Sequence, residues 1–270
     1  MSLKSPLAAV LAILVSGQIA MAGDIKLAVT TSFHNSGLSD VLLPEIKADL
    51  DLEVKLLVVG TGQALRLGKA GDVDAILVHS RKAEQAFLDG GFGTHRREIM
   101  FNDFVLIGPS ADPAGIAGAK NAGEAFQKIA GAEATFVSRG DDSGTHKKEL
   151  SLWQGAKGVG NVSAQGWYRA VGAGMGASLN TASGMNAYIM ADRASWLKFG
   201  NKGDLALLFS GDSVLFNQYA YLPVNPELHP HVKKDLVLKL ENWLAGPKAE
   251  KLISEYKING ELLFTFNAQD

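Results

Sequence analysis

Ile25-Lys26-Leu27-Ala28-Val29 runs straight into Thr30-Thr31-Ser32, an apolar stretch that stops on three hydroxyls. The same grammar returns at Glu53–Val59, which ends on Gly60-Thr61-Gly62, and at Ala75–Val78, which ends on His79-Ser80. Helical spacings lie between these runs. Leu38, Val41, Leu42, Ile46 and Leu50 predict one helix, and the stretches around Ala64–Leu67 and Ala83–Leu88 predict two more. The strands read as continuous apolar runs, the third of them wholly apolar, so both of their faces are expected to be buried. Strand–helix alternation of that kind means a parallel sheet with helices on each side, an α/β fold.

Working outward, Asn102–Gly108 is a further apolar strand, and Pro109 and Asp112-Pro113 mark a loop before a second α/β unit. That unit reads as a helix at Glu124–Ile129, a strand at Ala134–Val137 and a helix at Lys147–Trp153. A helix at Ala182–Met190 and a strand at Leu205–Phe209 complete it. Val214–Val224 returns extended, and helices at His231–Ala245 and Lys248–Glu255 close the chain. Crossings near residues 105 and 215 predict a discontinuous first lobe, 23–105 plus 215–270, and a second lobe, 106–214. Two crossing strands would form a hinge, with a ligand in the cleft between the lobes.

In open α/β sheets ligands bind beyond the carboxyl ends of strands. Those ends here hold Thr30-Thr31-Ser32, Gly60-Thr61-Gly62, His79-Ser80 and Ser138-Arg139-Gly140-Asp141-Asp142-Ser143-Gly144-Thr145. Each precedes a predicted helix, whose first N–H groups are unpaired and carry partial positive charge. Glycine lets an anion approach those amides, hydroxyls add donors, and Arg139 adds a forked cation. A helix cap explains Ser80 alone, but not an arginine with hydroxyls and glycines together. The pattern predicts one donor-lined pocket for a small oxyanion.

Composition sets the limits. With 26 Lys+Arg against 28 Asp+Glu, the formal charge of −2 excludes the broad basic field of a non-specific nucleic-acid binder. The absence of cysteine excludes disulfides, thiolate metal sites and cysteine nucleophiles. Thirty glycines exceed the usual ~7%. Residues 1–22 read as an export signal: Lys4 is the positive start, Pro6–Val15 the apolar run, and Ala20-Met21-Ala22 the cleavage pattern. The apolar run is well short of the ~20 residues that span a bilayer. The mature chain is expected to start at Gly23 in the periplasm, without a lipid anchor.

Taken together, Val59-Gly60-Thr61-Gly62-Gln63-Ala64-Leu65, Val78-His79, Asn102-Asp103-Phe104-Val105 and Ser138–His146 resemble the tungstate-binding proteins of bacterial ABC importers. The likeness continues through Asp112–Ile116, Trp167-Tyr168, Gly174-Met175-Gly176 and Asp192-Arg193, so it covers most of the chain. It implies a type II periplasmic-binding-protein fold that closes on tungstate and delivers it to a membrane permease. Matched position by position, it implies ligand contacts from Thr30, Thr31, Ser32, Thr61 and Gly62 of the first lobe. From the second lobe it implies Ser138, Arg139, Ser143, Gly144 and Thr145. The chain departs from the family where Val29 precedes Thr30-Thr31-Ser32 and Phe33-His34-Asn35 follows, at the outer edge of that loop.

Charge state separates the candidate anions. Tungstate, molybdate and sulfate carry no proton near neutral pH and need donors only, whereas phosphate benefits from an acceptor carboxylate. Asp141 and Asp142 are the nearby carboxylates; one is expected to orient Arg139 and the other to cap the following helix. Molybdate, phosphate and sulfate on the same fold are the alternatives. A secreted hydrolase using Ser143 and His146 is a further one, but those residues crowd into one segment without a Gly-x-Ser-x-Gly elbow. The expected molecule is a monomeric receptor with no catalysis, cofactor or bound metal cation.

Overall fold

The computed structural model describes residues 23–269. The predicted export signal at residues 1–22 lies outside that range. The first unit alternates as expected: β1 (Gly23–Thr30), α1 (Thr31–Ser36), α2 (Leu38–Leu50), β2 (Leu52–Val59), α3 (Thr61–Ala70), β3 (Ala75–Val78) and α4 (Arg81–Asp89). β4 (Arg97–Pro109) leads to α5 (Ala122–Gly131), β5 (Phe136–Ser138), α6 (Gly144–Gly155), β6 (Tyr168–Ala170), α7 (Met175–Met185), β7 (Tyr188–Asp192), α8 (Arg193–Lys198) and β8 (Leu205–Phe209). β9 (Phe216–Pro223), α9 (Lys234–Leu244), α10 (Pro247–Ser254) and the short strands β10 (Lys257–Ile258), β11 (Glu261–Leu262) and β12 (Thr265–Phe266) follow.

The main sheet is mixed, in the order β2-β1-β3-β9-β4-β7-β5-β6, with β8 and β12 also on β4. β1 pairs in parallel with β2 and β3, and β5 does the same with β6 and β7, so each unit has its own parallel core. β4 joins them. Its first half, Arg97–Asp103, is antiparallel to β9, and its second half, from Phe104, is antiparallel to β7 and β8. The switch falls between Asp103, paired with Phe216, and Phe104, paired with Asp192.

Side-chain alternation along these strands feeds two hydrophobic clusters. Val105, Ile107, Val137, Ile189 and Ala191 join the larger one, which runs under β1–β3 and β9. Phe104, Leu106, Phe136, Tyr188 and Met190 point the other way, into a cluster around Phe126 and Trp153. There the Trp153 ring stands edge-on to Phe126 and Phe136, at 4.4 and 5.1 Å.

Two expectations about the elements are corrected. The sheet is mixed and not parallel throughout, because β4 and the returning β9 run antiparallel to their neighbours. One predicted helix is partly a strand. Ala182–Met190 is not a helix: α7 ends at Met185, Asn186 takes a left-handed conformation, and β7 begins at Tyr188. β7 is buried on both faces, and a short, fully apolar run carries no period that distinguishes strand from helix. Among the described residues, no helix is long and apolar enough to cross a membrane.

Candidate functional site

Three helices begin where parallel strands end, and their first residues meet. α1 starts at Thr31 with Thr30 as its cap, α3 at Thr61 after Gly60, and α6 at Gly144 after Ser143. Around them closes a small pocket lined by Thr30, Thr31, Ser32, Gly60, Thr61, His79, Arg139, Ser143, Gly144 and Thr145. Its open volume is about 20 Å³, which admits one compact group and no chain or ring. A larger cavity of about 250 Å³ lies elsewhere, between Thr94, His95, Pro223 and Leu238, away from the strand ends.

The pocket presents donors. Gly60 offers no side-chain cap, so the first-turn amides of α3 have no partner from the cap position. At α6 the Ser143 hydroxyl accepts from the His146 amide at 3.2 Å and turns its own proton to the Asp141 carboxylate. Arg139, 8% exposed, donates from Nε and Nη2 to one oxygen of Asp141, at 3.1 and 2.5 Å. The other Asp141 oxygen accepts from the Ser143 amide at 3.2 Å. Burial alone would raise the Asp141 carboxyl. The Ser143 hydrogen bonds and the Arg139 charge override it and hold the group below its ordinary value. Asp141 therefore stays ionised and fixes both Arg139 and the start of α6.

The division of labour expected of the two aspartates is corrected here. Asp141 orients Arg139, but Asp142 is not the cap; Ser143 is. Asp142 faces outward in a left-handed turn (φ 58°), 3.3 Å from Lys147 Nζ. Ser80 stands at the cap position of α4 without a side-chain cap bond; its amide instead donates to Glu84 Oε1.

Two expected contacts are displaced from the pocket wall. Ser138 is fully buried and its hydroxyl donates to Glu149 Oε2 at 2.6 Å, because successive strand residues point to opposite faces and Arg139 takes the inner one. Gly62 is one residue into α3, rotated off the face that Thr61 presents. Thr30, Thr31, Ser32, Thr61, Arg139, Ser143, Gly144 and Thr145 converge.

Gly60 and His79 join them. His79 follows β3 as Thr31 follows β1 and Gly60 follows β2, so the strand-end rule points at it. Its ring packs on Tyr219 of β9, at 4.8 Å between centroids. Ser32 Oγ lies 3.0 Å from Thr30 Oγ1, 3.1 Å from His79 Nε2 and 3.1 Å from Tyr219 Oη. These contacts take up that hydroxyl's one proton and two lone pairs. Burial pushes the His79 imidazole down to about 4, and Arg139 pushes the same way, so the ring is neutral at pH 7. Two buried atoms in the wall have no hydrogen-bond partner among the described residues: Thr61 Oγ1 and His79 Nδ1.

The units touch here. A Cβ built on Gly144 would lie 2.8 Å from His79 Cε1 and 3.5 Å from Thr61 Oγ1. The arrangement can hold a compact, fully deprotonated anion by amides, hydroxyls and a guanidinium. Among the described residues, no carboxylate lines it.

A family model described as the PBP superfamily domain matches residues 17–248. The tungstate-binding protein TupA of Peptoclostridium acidaminophilum is 43% identical over 250 residues, covering 91% of this chain and 86% of its own. A solved structure of the tungstate-binding protein TupA from Desulfovibrio alaskensis G20 is 46% identical, with a TM-score of 0.85. The match covers 92% of this chain and 100% of that one. A structure described as the tungstate ABC transporter from Geobacter sulfurreducens is 48% identical over 86% of this chain and 98% of its own, with a TM-score of 0.78. The chain belongs to the PBP superfamily and, within it, to the family of the TupA proteins.

Proposed function

We propose that this chain is a periplasmic receptor that captures tungstate and hands it to the permease of an ABC importer. It is a binding protein and not an enzyme, in line with relatives that are named for the anion they bind. The observation that carries the ligand class is the donor-only pocket: hydroxyls, helix-start amides and Arg139, with Asp141 already committed to Arg139 and Ser143. A protonated oxyanion would want an acceptor there; tungstate does not.

The reading divides the molecule into lobes at 23–105 plus 215–270 and at 106–214, hinged where β4 changes partners. Thr31 and Thr61 would hold the anion from one lobe, and Arg139, Ser143 and Thr145 from the other. Contacts made from both sides exist only when the lobes are together, so the anion shifts the population toward closure. The receptor acts as a monomer, exported with loss of residues 1–22, and its partner is the membrane permease.

Thermal-shift titration with tungstate, molybdate, sulfate and phosphate tests this. Tungstate is expected to raise the melting temperature at the lowest concentration. Stabilisation by phosphate alone overturns the ligand and leaves the fold. Calorimetry on Arg139→Ala should show tungstate affinity reduced by about a hundredfold, as for a charge-assisted bond of ~3 kcal/mol. Unchanged affinity removes Arg139 from the site.

A further inference from the structure

Buried polar atoms are almost always hydrogen-bonded, so an unpaired one at a pocket wall points to a group that is not in the chain. His79 Nδ1 is such an atom, and it faces the amide start of α6 across the pocket, beside the equally unpaired Thr61 Oγ1. The other nitrogen, Nε2, sits 3.1 Å from Ser32 Oγ. A neutral imidazole has one N–H and one lone pair, and whichever nitrogen lacks the proton must accept. Ser32, Tyr219 and the Asn217 side chain, which interacts with both rings, therefore decide what Nδ1 offers. If the Tyr219 hydroxyl donates to Ser32 and Ser32 donates on to Nε2, the proton is left on Nδ1. In the opposite orientation Nδ1 would present a lone pair, which repels an oxyanion but accepts from a protonated one.

Resting on the tungstate reading above, we propose that His79 is a specificity-determining ligand. It donates Nδ1–H to the anion, in a tautomer set by the Tyr219–Ser32 relay, and so favours fully deprotonated oxyanions over hydrogen-bearing ones. The ring is held for this task. Tyr219 packs against it, Ser32 tethers Nε2, and Gly144 leaves the space in front of Cε1 and Nδ1 that any side chain would fill. Burial beside Arg139 keeps the imidazole from charging near neutral pH, so the donor stays single and directional. A charged His79 would attract every oxyanion alike; a neutral one with a fixed proton distinguishes them.

The test uses the exported, full-length mature chain and its His79→Ala and His79→Asn variants, titrated calorimetrically with tungstate, molybdate, sulfate and phosphate. His79→Ala is expected to lower tungstate affinity at least tenfold. His79→Asn, whose amide can turn either its N–H or its carbonyl to the pocket, is expected to recover part of that loss. It should also shrink the tungstate-to-phosphate affinity ratio at least fivefold. A ring that only packs against Tyr219 would lower all anions together and leave the ratio unmoved, which overturns the proposal. Long-range proton–nitrogen spectra of the histidine-labelled wild type, loaded with tungstate, give a second reading free of mutation. The Nδ1–H tautomer supports the inference, and the Nε2–H tautomer overturns it. Tungstate binding by wild type with unchanged affinity in His79→Ala defeats this inference alone. Binding of none of the four anions by wild type defeats the tungstate reading and this inference together.

Discussion

Thr61 carries a buried hydroxyl with no partner among the described residues, 4% exposed as a residue, at the first turn of α3. A hydrogen bond to a charged group contributes ~1.5–3 kcal/mol, so Thr61→Val should weaken tungstate binding by about ten- to a hundredfold. Thr61→Ser should stay within a few-fold of wild type, and calorimetry distinguishes the two. Equal affinity in Thr61→Val would mean that the hydroxyl meets only water. Residues of this kind are legible in the sequence, because a hydroxyl or glycine at the end of an apolar run is a local signal. Ser138 carried the same signal and turned out to serve Glu149, since pleating sends neighbours to opposite faces. Tyr219 carried no signal at all. It reaches the site from an antiparallel crossing strand, far along the chain from every motif that marks the pocket.

At the scale of elements, the start of α6 is where the second unit meets the strand ends of the first, beside the continuity that β4 gives the sheet. The first residue of α6 is a glycine for a reason of space: a methyl there would sit 2.8 Å from His79 Cε1, and Tyr219 backs that ring. Gly144→Ala is expected to hold α6 off the β3 end and reduce tungstate affinity about tenfold or more. Overpacking of a tight contact costs ~1–3 kcal/mol. On the proposed lobe closure, the melting temperature without anion should change little, because opening relieves the clash. A fall in that temperature equal to the loss in binding would instead place Gly144 in the folding core. The alternating strands and helices of the first unit were readable because each strand is apolar and each helix periodic. β7 was not, being too short and too uniformly apolar to show a period. β4 was readable as a strand but not as the member that serves both halves of the sheet, since pairing partners leave no trace in a single strand's pattern.

For the molecule as a whole, the pH dependence of stability turns on a carboxyl behind the pocket. Glu149, 2% exposed, accepts from Ser138 Oγ at 2.6 Å, Tyr168 Oη at 2.8 Å and Trp153 Nε1 at 3.1 Å. These bonds tie α6 to β5 and β6 and hold Ser138 next to Arg139. Burial outweighs the three donors and, helped by the Asp141 charge, pushes Glu149 from 4.5 to about 7. A carboxyl raised on folding binds its proton more tightly in the native state. Its contribution is therefore fullest below pH 4.5 and is lost as pH rises from there through about 7. At ~1.4 kcal/mol per unit the loss is of order 3 kcal/mol. Glu149→Gln removes that titration while keeping the bonds: its carbonyl can accept from Trp153 and Tyr168, and its amide can donate to Ser138. Denaturation from pH 4.5 to 8 should therefore show the variant gaining on wild type as pH rises, by a few kcal/mol at pH 8. Charges elsewhere are common to both proteins and cancel in that difference. A difference that does not vary with pH would mean that Glu149 remains ionised in the fold. The three donors would then outweigh burial, and the anion site would rest on a permanent buried negative charge.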